Sequence, residues 1–266
     1  MKIIVCVKQV PDTSGKVAVN PDGTLNRASM ATITNPDDLN AVEAALVLKE
    51  QTGAEVVVVC MGPPPAEGML RECLARGCDR AVLVSGREFG GSDTYATSQI
   101  LAAAINKLGV DAEDIVMCGR QAIDGDTAQV GPQIAEKLGL PQISYAADIQ
   151  LDGNVVTVKR MLEDGYMPVK TQTPCLITCI KELNEPRYMS VYGIFDCYSK
   201  PYEVLDYNAL KDDPLSDPST SGLMGSPTNI LTSFTPPQKG AGMMLEGDDR
   251  ATCDKLAGIL AAKHMI

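Results

Sequence analysis

Over the first 140 residues the chain alternates between two hydrophobic patterns, and that alternation constrains the fold more than any other feature. Apolar, β-rich runs lie at Ile3–Val7, Glu55–Cys60, Ala81–Ser85 and Asp114–Cys118. Ala- and Leu-rich helical stretches separate them, at Asp37–Gln51, Ala66–Arg76, Asp93–Leu108 and Thr127–Leu138. Continuous apolar strands divided by helices belong to a parallel sheet covered on both faces, with right-handed crossovers. The predicted class is therefore α/β, a doubly wound and mostly parallel sheet.

Local signals support the helices. Asn35 precedes Pro36, Asp37 and Asp38, which reads as a cap, a first-position proline and acids in the first turn. Leu39, Val42, Leu46 and Val47 follow at helical spacing, and Gly53 stops the helix. Between 142 and 183 the character changes. Ser144–Leu151, Val155–Met161 and Cys175–Ile180 read as strands of a smaller antiparallel portion, with Asp152–Gly153–Asn154 as a hairpin turn. From Pro201 onward Pro, Gly, Ser and Asp dominate, so this stretch is not expected to bury a core by itself. The acidic run Glu203–Asp217 reads as solvated linker. A final helix over Asp248–Lys263 carries Leu256, Ile259 and Leu260 as an apolar stripe; it either docks on a partner or packs on its own domain. The predicted organisation is an α/β nucleotide-binding domain over 1–200 and a C-terminal linker and arm over 201–266.

Composition excludes several function classes. With 34 acidic and 23 basic side chains the net charge is -11, and no basic patch offers itself to nucleic acid. The single histidine, His264, stands near the end, which removes His-rich metal sites and leaves no ordinary His-centred triad. Nine cysteines, an odd number without a CxxC, read as reduced buried thiols of a cytoplasmic protein rather than a disulfide framework. MKIIVCVKQV reads as a first strand and not a signal peptide, and no apolar stretch is long enough to span a membrane.

In such a sheet ligands bind at the carboxyl ends of the strands. The loops there are Gln9–Asn35, Met61–Pro65, Gly86–Ser92 and Gly119–Asp126. The richest segment is GRQAIDGDTAQVGP, Gly119–Pro132. Gly119 and Gly125 permit close backbone approach, Asp126 or Thr127 can cap the next helix, and the helix N–H groups suit a phosphate. Gln121, Thr127 and Gln129 can bond a ribose or base. Asp124 and Asp126 would repel a phosphate, so they are expected to face ribose hydroxyls or backbone amides. An ordinary strand-to-helix turn remains the alternative. GREFGGSDT, at 86–94, could form a second cradle through Gly90, Gly91, Asp93 and Thr94. It resembles the pyrophosphate loop of ATP pyrophosphatases, with Phe89 and Thr94 in place of serines; a turn with a helix cap explains it equally well. Lys8 could neutralise a phosphate or simply extend along the surface. No catalytic base stands out, so any chemistry belongs to a cofactor.

The segments VCVKQVPD (5–12), TNPDD (34–38), CMGPP (60–64), GRQAIDGDTAQVGP (119–132) and LNEPRY (183–188) resemble the beta subunit of electron transfer flavoprotein. VKRMLEDGYMPVKTQTPCLIT, 158–178, is similar to the family signature and departs from it at Met167. The resemblance spans nearly the whole chain. It implies an adenine-nucleotide-hydrolase-like α/β domain and a heterodimer with the alpha subunit, on which the C-terminal arm docks. It also implies a nucleotide site made of Cys6, Asn35 to Asp38, Met61 and the loop Gln121, Asp124, Gly125, Asp126, Thr127, Ala128, Gln129, Val130 and Gly131. Ordinary members hold AMP there. Electron-bifurcating members hold FAD, accept hydride from NADH, and divide the electrons between ferredoxin or flavodoxin and the alpha-subunit FAD. Gly125, Thr127 and the GGSDT loop resemble the bifurcating type, which is the expectation; an AMP-holding subunit is the alternative. The resemblance further implies docking onto a flavin dehydrogenase, of acyl-CoA or lactate type, through Val191 and Tyr192. Two apolar residues buried on a helix are the alternative there.

Overall fold

The structure, a computed structural model, describes residues 1–12, 31–228, 231 and 240–266. The first half holds β1 (Lys2–Cys6), β2 (Gln9–Pro11), β3 (Thr32–Thr34), α1 (Pro36–Thr52), β4 (Glu55–Met61), α2 (Glu67–Arg76), β5 (Arg80–Val84), α3 (Thr94–Leu108), β6 (Ile115–Gly119) and α4 (Val130–Leu138). The second half holds β7 (Gln142–Asp152), β8 (Val155–Met161), β9 (Tyr166–Gln172), β10 (Cys175–Cys179), α5 (Val191–Asp196), β11 (Tyr202–Leu205), α6 (Tyr207–Leu210) and α7 (Arg250–Ala262). Among the described residues the main sheet has nine strands in the order β11-β5-β4-β1-β6-β10-β7-β8-β9. All neighbours from β11 to β7 are parallel, and β7, β8 and β9 are antiparallel.

The uninterrupted apolar runs follow from coverage on both faces. Successive strand residues point to opposite sides. Ile3, Val5, Val56 and Val58 join the core with Val42 and Leu46 of α1 and Leu70 and Leu74 of α2. Ile4, Val57, Val59 and Val116 join the other core with Ile100 and Ile105 of α3 and Ile134 of α4. The α/β class and the doubly wound, mostly parallel sheet are as expected.

Several details differ. The strand predicted over Cys175–Ile180 is not part of the antiparallel portion: β10 lies between β6 and β7 and is parallel to both. β9 and β11 are additional strands. Both lie at sheet edges, where Pro168 and polar side chains are tolerated because one side of the strand needs no partner. The loop expected from Gln9 to Asn35 begins and ends as a short antiparallel pair, β2 with β3; residues 13–30 lie outside the described ones. On α1 the predicted stripe is incomplete. Val47 is exposed, and Ala41, Ala44, Ala45 and Leu48 are buried instead.

The chain divides into two units, and the larger extends to Leu231. The boundary expected after residue 200 therefore falls later. The physical reason is that β11 pairs with β5, while Leu205 and Leu210 are buried in the second core. The run Glu203–Asp217 is thus folded chain and not linker. The smaller unit contains α7, whose N-terminus is capped by Asp249 accepting from Thr252 N–H at 2.9 Å. No residue of α7 is buried. Eight of the nine cysteines are buried, and Cys253 is exposed. Among the described residues no helix is long and apolar enough to cross a membrane.

Candidate functional site

Strands β1 and β6 are neighbours, with Cys6 beside Cys118, and the chain leaves them toward opposite sides of the sheet. A switch in strand order of this kind opens a crevice at the carboxyl ends. A cavity of about 550 Å³ lies there. Cys6, Lys8, Asp38, Met61, Cys118 and Gly119 line it at the strand ends. The segment after β5 contributes Phe89, Gly91, Ser92, Asp93 and Thr94, and the loop after β6 contributes Arg120, Gln121, Gly125 and Thr127–Gly131.

Asp38 ties the two central strand ends together. Its Oδ2 accepts from Lys8 N–H at 2.8 Å and its Oδ1 from Gly119 N–H at 2.9 Å. Burial pushes its carboxyl up to about 7, although hydrogen bonds from Lys8, Asn35 and Gly119 pull the other way. Asn35 does not cap α1 with its side chain. Its Nδ2 donates to Gln121 O at 2.8 Å and its Oδ1 accepts from Ile123 N–H at 3.1 Å, so it holds the loop after β6 without lining the cavity.

That loop departs from the predicted helix start. Asp126 and Ala128 have φ of 51° and 52°, in the left-handed region, so α4 begins at Val130 and not at Thr127. Neither Asp126 nor Thr127 is the cap. Gln129 holds that position and its side chain makes no cap hydrogen bond, which leaves the first N–H groups of α4 without a side-chain partner there. Asp124 and Asp126 do not line the cavity, nor do they bond backbone amides. Asp124 Oδ1 accepts from Lys8 Nζ at 2.7 Å and Asp126 Oδ1 from Gln121 Nε2 at 2.8 Å. Lys8 is thus held at the site and not merely spread on the surface.

The two walls meet where Thr94 Oγ1 donates to Gln129 Oε1 at 3.0 Å. Gly90 lies outside the lining, and its carbonyl accepts from Leu223 N–H at 3.0 Å. The cradle expected around Asp93 is filled by Asp93 itself, which caps α3 by accepting from Ala96 N–H at 3.0 Å. Sequence reasoning missed Thr97 and Leu101 as lining residues. They lie three and seven positions after Thr94, on one helix face, so helical spacing could have found them.

The residues fit a nucleotide. The start of α4 comes close to the sheet only because residue 131 is glycine: a Cβ there would lie 2.6 Å from Cys118 Sγ and 2.8 Å from Thr178 Cγ2. Uncapped N–H groups, amide side chains and Lys8 converge on one cavity. Burial pushes the Cys6 thiol up to about 12 and raises Cys118 as well, so neither is a thiolate at neutral pH. The cavity is built to hold a group rather than to attack one.

Residues 22–204 match the electron transfer flavoprotein domain. The chain belongs to the electron transfer flavoprotein family. It is 66% identical over 267 residues, covering 100% of both chains, to the protein named acryloyl-CoA reductase electron transfer subunit gamma of Anaerotignum propionicum. It is 52% identical over 265 residues, 99% of this chain and 97% of the other, to caffeyl-CoA reductase-Etf complex subunit CarD of Acetobacterium woodii. It is also 49% identical, over 100% of both chains, to the electron transfer flavoprotein subunit beta of Clostridium acetobutylicum.

One further feature of this family member is its exposed helix α5. Val191 is 74% and Tyr192 77% exposed, so the buried alternative does not hold. Tyr188, Phe195 and Tyr198 are exposed nearby. Ser190 Oγ caps α5 by accepting from Gly193 N–H at 2.9 Å. The preceding segment is anchored on α1, where Arg187 Nε donates to Glu43 Oε2 at 2.9 Å and Asn40 Nδ2 donates to Asn184 O at 2.8 Å.

Proposed function

We propose that the chain is the beta-type subunit of a cytoplasmic, heterodimeric electron transfer flavoprotein, and that its cavity holds FAD. The observation that carries this reading is that the loop after β5 and the loop after β6 line one continuous cavity. A space reaching both loops favours a dinucleotide over AMP. Bound there, FAD supplies acceptance of a hydride from NADH, and release of the two electrons singly to ferredoxin or flavodoxin and to the FAD of the alpha subunit. The final acceptor in this reading would be a partner flavin dehydrogenase; relatives named for acryloyl-CoA and caffeyl-CoA reductases favour the acyl-CoA type.

The chain's own residues bind and orient. The N–H groups at the start of α4 and the Lys8 ammonium receive the phosphates. Gln121, Thr127 and Gln129 offer bonds to the sugar or base. Thr94, through Gln129, keeps the two walls in register. The protonated Cys6 and Cys118 put no charge at the strand ends. In this reading α7, which has no buried residue, docks on the alpha subunit, and Val191 and Tyr192 meet the dehydrogenase.

The test is to purify the complex with its alpha subunit, extract the nucleotides, separate them by chromatography and titrate the flavin with NADH. Two FAD per pair, one bleached by NADH, is the expected result. One FAD plus one AMP overturns the bifurcating reading and leaves an electron carrier with a structural nucleotide. For the docking surface, Tyr192→Ser is expected to slow reduction of the dehydrogenase while nucleotide content stays unchanged; an unaltered rate removes Tyr192 from the interface.

A further inference from the structure

Residues near 222–228 lie more than a hundred positions beyond the loop that follows β5, yet they close over it. Leu223 N–H donates to Gly90 O at 3.0 Å. Ser226 Oγ accepts from Asp93 N–H at 2.8 Å, across a separation of 133 residues, and donates to Gly222 O at 2.7 Å. Thr228 N–H donates to Asp93 Oδ2 at 3.0 Å. The approach is tight. Gly222 has φ of 63°, and a Cβ there would run into the carbonyl oxygen of Glu88. Leu223 in turn closes on Gly91, where an added Cβ would stand 3.0 Å from Leu223 Cβ.

Asp93 stands at the centre of this arrangement. Its Oδ1 caps α3 through Ala96 N–H, and its Oδ2 takes Thr228 N–H. Its own N–H is taken by Ser226. A carboxylate that already fills the N-terminus of α3 occupies the place where an anion would sit and repels a phosphate brought near it. The next residue, Thr94, donates to Gln129 of the facing loop. A chain of hydrogen bonds therefore runs from residue 228 through Asp93 and its neighbour to the loop after β6.

We propose that this segment is a strap that positions one wall of the nucleotide cavity, with Ser226 and Asp93 as positioning residues that touch the wall's backbone rather than the ligand's phosphates. The inference rests on the reading of the cavity as a nucleotide site. It assigns a role in that site to residues that the sequence alone places in a C-terminal linker and arm. Ser226 fixes the backbone between Gly91 and Asp93, and that backbone fixes Thr94 opposite Gln129. Removing the Ser226 hydroxyl leaves the half-buried Asp93 N–H without its acceptor and lets the wall shift.

The test uses the full chain in complex with its alpha subunit. Three variants are compared with the unaltered protein: Ser226→Ala, Ser226→Thr and Thr228→Pro. The last removes both the backbone N–H and the side-chain hydroxyl that Thr228 offers Asp93 and leaves the buried Ser226 hydroxyl in place. Binding is titrated with FAD and, separately, with AMP on nucleotide-depleted protein, and amide exchange is followed at Asp93 and in β6. Ser226→Ala is expected to weaken the bound nucleotide by about tenfold, with faster exchange at Asp93 and unchanged exchange in β6. Ser226→Thr should restore binding to within about twofold, because it keeps the hydroxyl. Thr228→Pro should give a smaller loss of the same kind. Unaltered affinity in Ser226→Ala despite faster exchange at Asp93 overturns the strap, and so does equal loss of exchange protection in β6, which marks general destabilisation. If the unaltered complex binds neither FAD nor AMP, the nucleotide reading itself has failed, and the positioning role falls with it.

Discussion

Lys8 Nζ lies 2.7 Å from Asp124 Oδ1, which joins the end of β1 to the loop after β6. The Lys8 side chain is 48% exposed, so water screens the pair and it adds under about 1 kcal/mol to stability. Lys8 also lines the cavity, and in the nucleotide reading proposed above it receives a phosphate. Lys8→Gln is expected to weaken nucleotide binding severalfold at low ionic strength, with the difference shrinking as salt rises. The unfolding midpoint should stay in place. Equal affinity at low salt would remove Lys8 from any phosphate-facing role.

Burial raises the Asp38 carboxyl from 3.8 to about 7. The folded chain thus holds this proton more tightly than the unfolded chain. Below 3.8 both states hold it, and above about 7 neither does, so the stability lost by ionising Asp38 grows as pH rises through that window. Asp38→Asn removes the titration. Relative to that variant, the unaltered protein should lose on the order of a few kcal/mol between about pH 4 and about pH 8. Urea unfolding of both proteins across the range measures it, and parallel profiles would refute the assignment.

Gly131 sits where the start of α4 crosses the sheet. In Gly131→Ala the new methyl group would meet Cys118 Sγ at 2.6 Å and Thr178 Cγ2 at 2.8 Å. Both neighbours are buried in a packed core, so the helix must move away. A loss of about 1–3 kcal/mol is expected, together with weaker nucleotide binding. Gly125→Ala is the control, because nothing lies within 4 Å of its added Cβ. If the two variants unfold alike, the close approach of α4 is not what selects glycine at 131.

Arg187 binds Glu43 through Nε and through Nη2, which lies 2.9 Å from Oε1. The Glu43 side chain is only 10% exposed, so Arg187→Ala leaves a buried charge without its charged partner, with only the residue 187 backbone N–H still donating to Oε2. A loss of about 3 kcal/mol is expected. Because Arg187 anchors the segment leading into α5, electron delivery to a partner dehydrogenase should also slow, with nucleotide content unchanged. Arg187→Lys should recover part of both effects, since it keeps the charge but not the forked geometry. Full stability in Arg187→Ala would show that the anchor lies elsewhere, for example at Asn40 and Asn184.

Much of the fold was readable along the chain because its signals are local. The helix expected over Asp37–Gln51 is α1, Pro36–Thr52, and the one expected over Asp93–Leu108 is α3, Thr94–Leu108. In both, periodicity and acidic first-turn or cap residues lie within a few positions of one another. The cavity loop was readable for the same reason, since a Gly- and Asp-rich segment between an apolar strand and a helix belongs at the carboxyl end of a parallel sheet. Within that loop the local rules failed. Asp126 has the composition of a cap, yet it bonds Gln121, and Asn35 has the position of a cap, yet it bonds the loop after β6. A short polar side chain can satisfy several partners, and which one it takes depends on what the fold brings near.

The sequence by itself determined the class of sheet, the strands β1, β4, β5 and β6 with the helices that follow them, and the loops that form the cavity, because these follow from hydrophobic period and turn chemistry within a few residues. The tertiary structure alone decided that β10 inserts between β6 and β7, that β11 returns to the edge beside β5, and that Ser226 reaches back to Asp93. Those pairings join residues far apart in sequence. They exist because burying Leu205 and Leu210 and satisfying backbone groups on the edge strand and the loop favour the return of the chain. No local pattern encodes that balance, since it depends on surfaces that form only once the sheet is assembled.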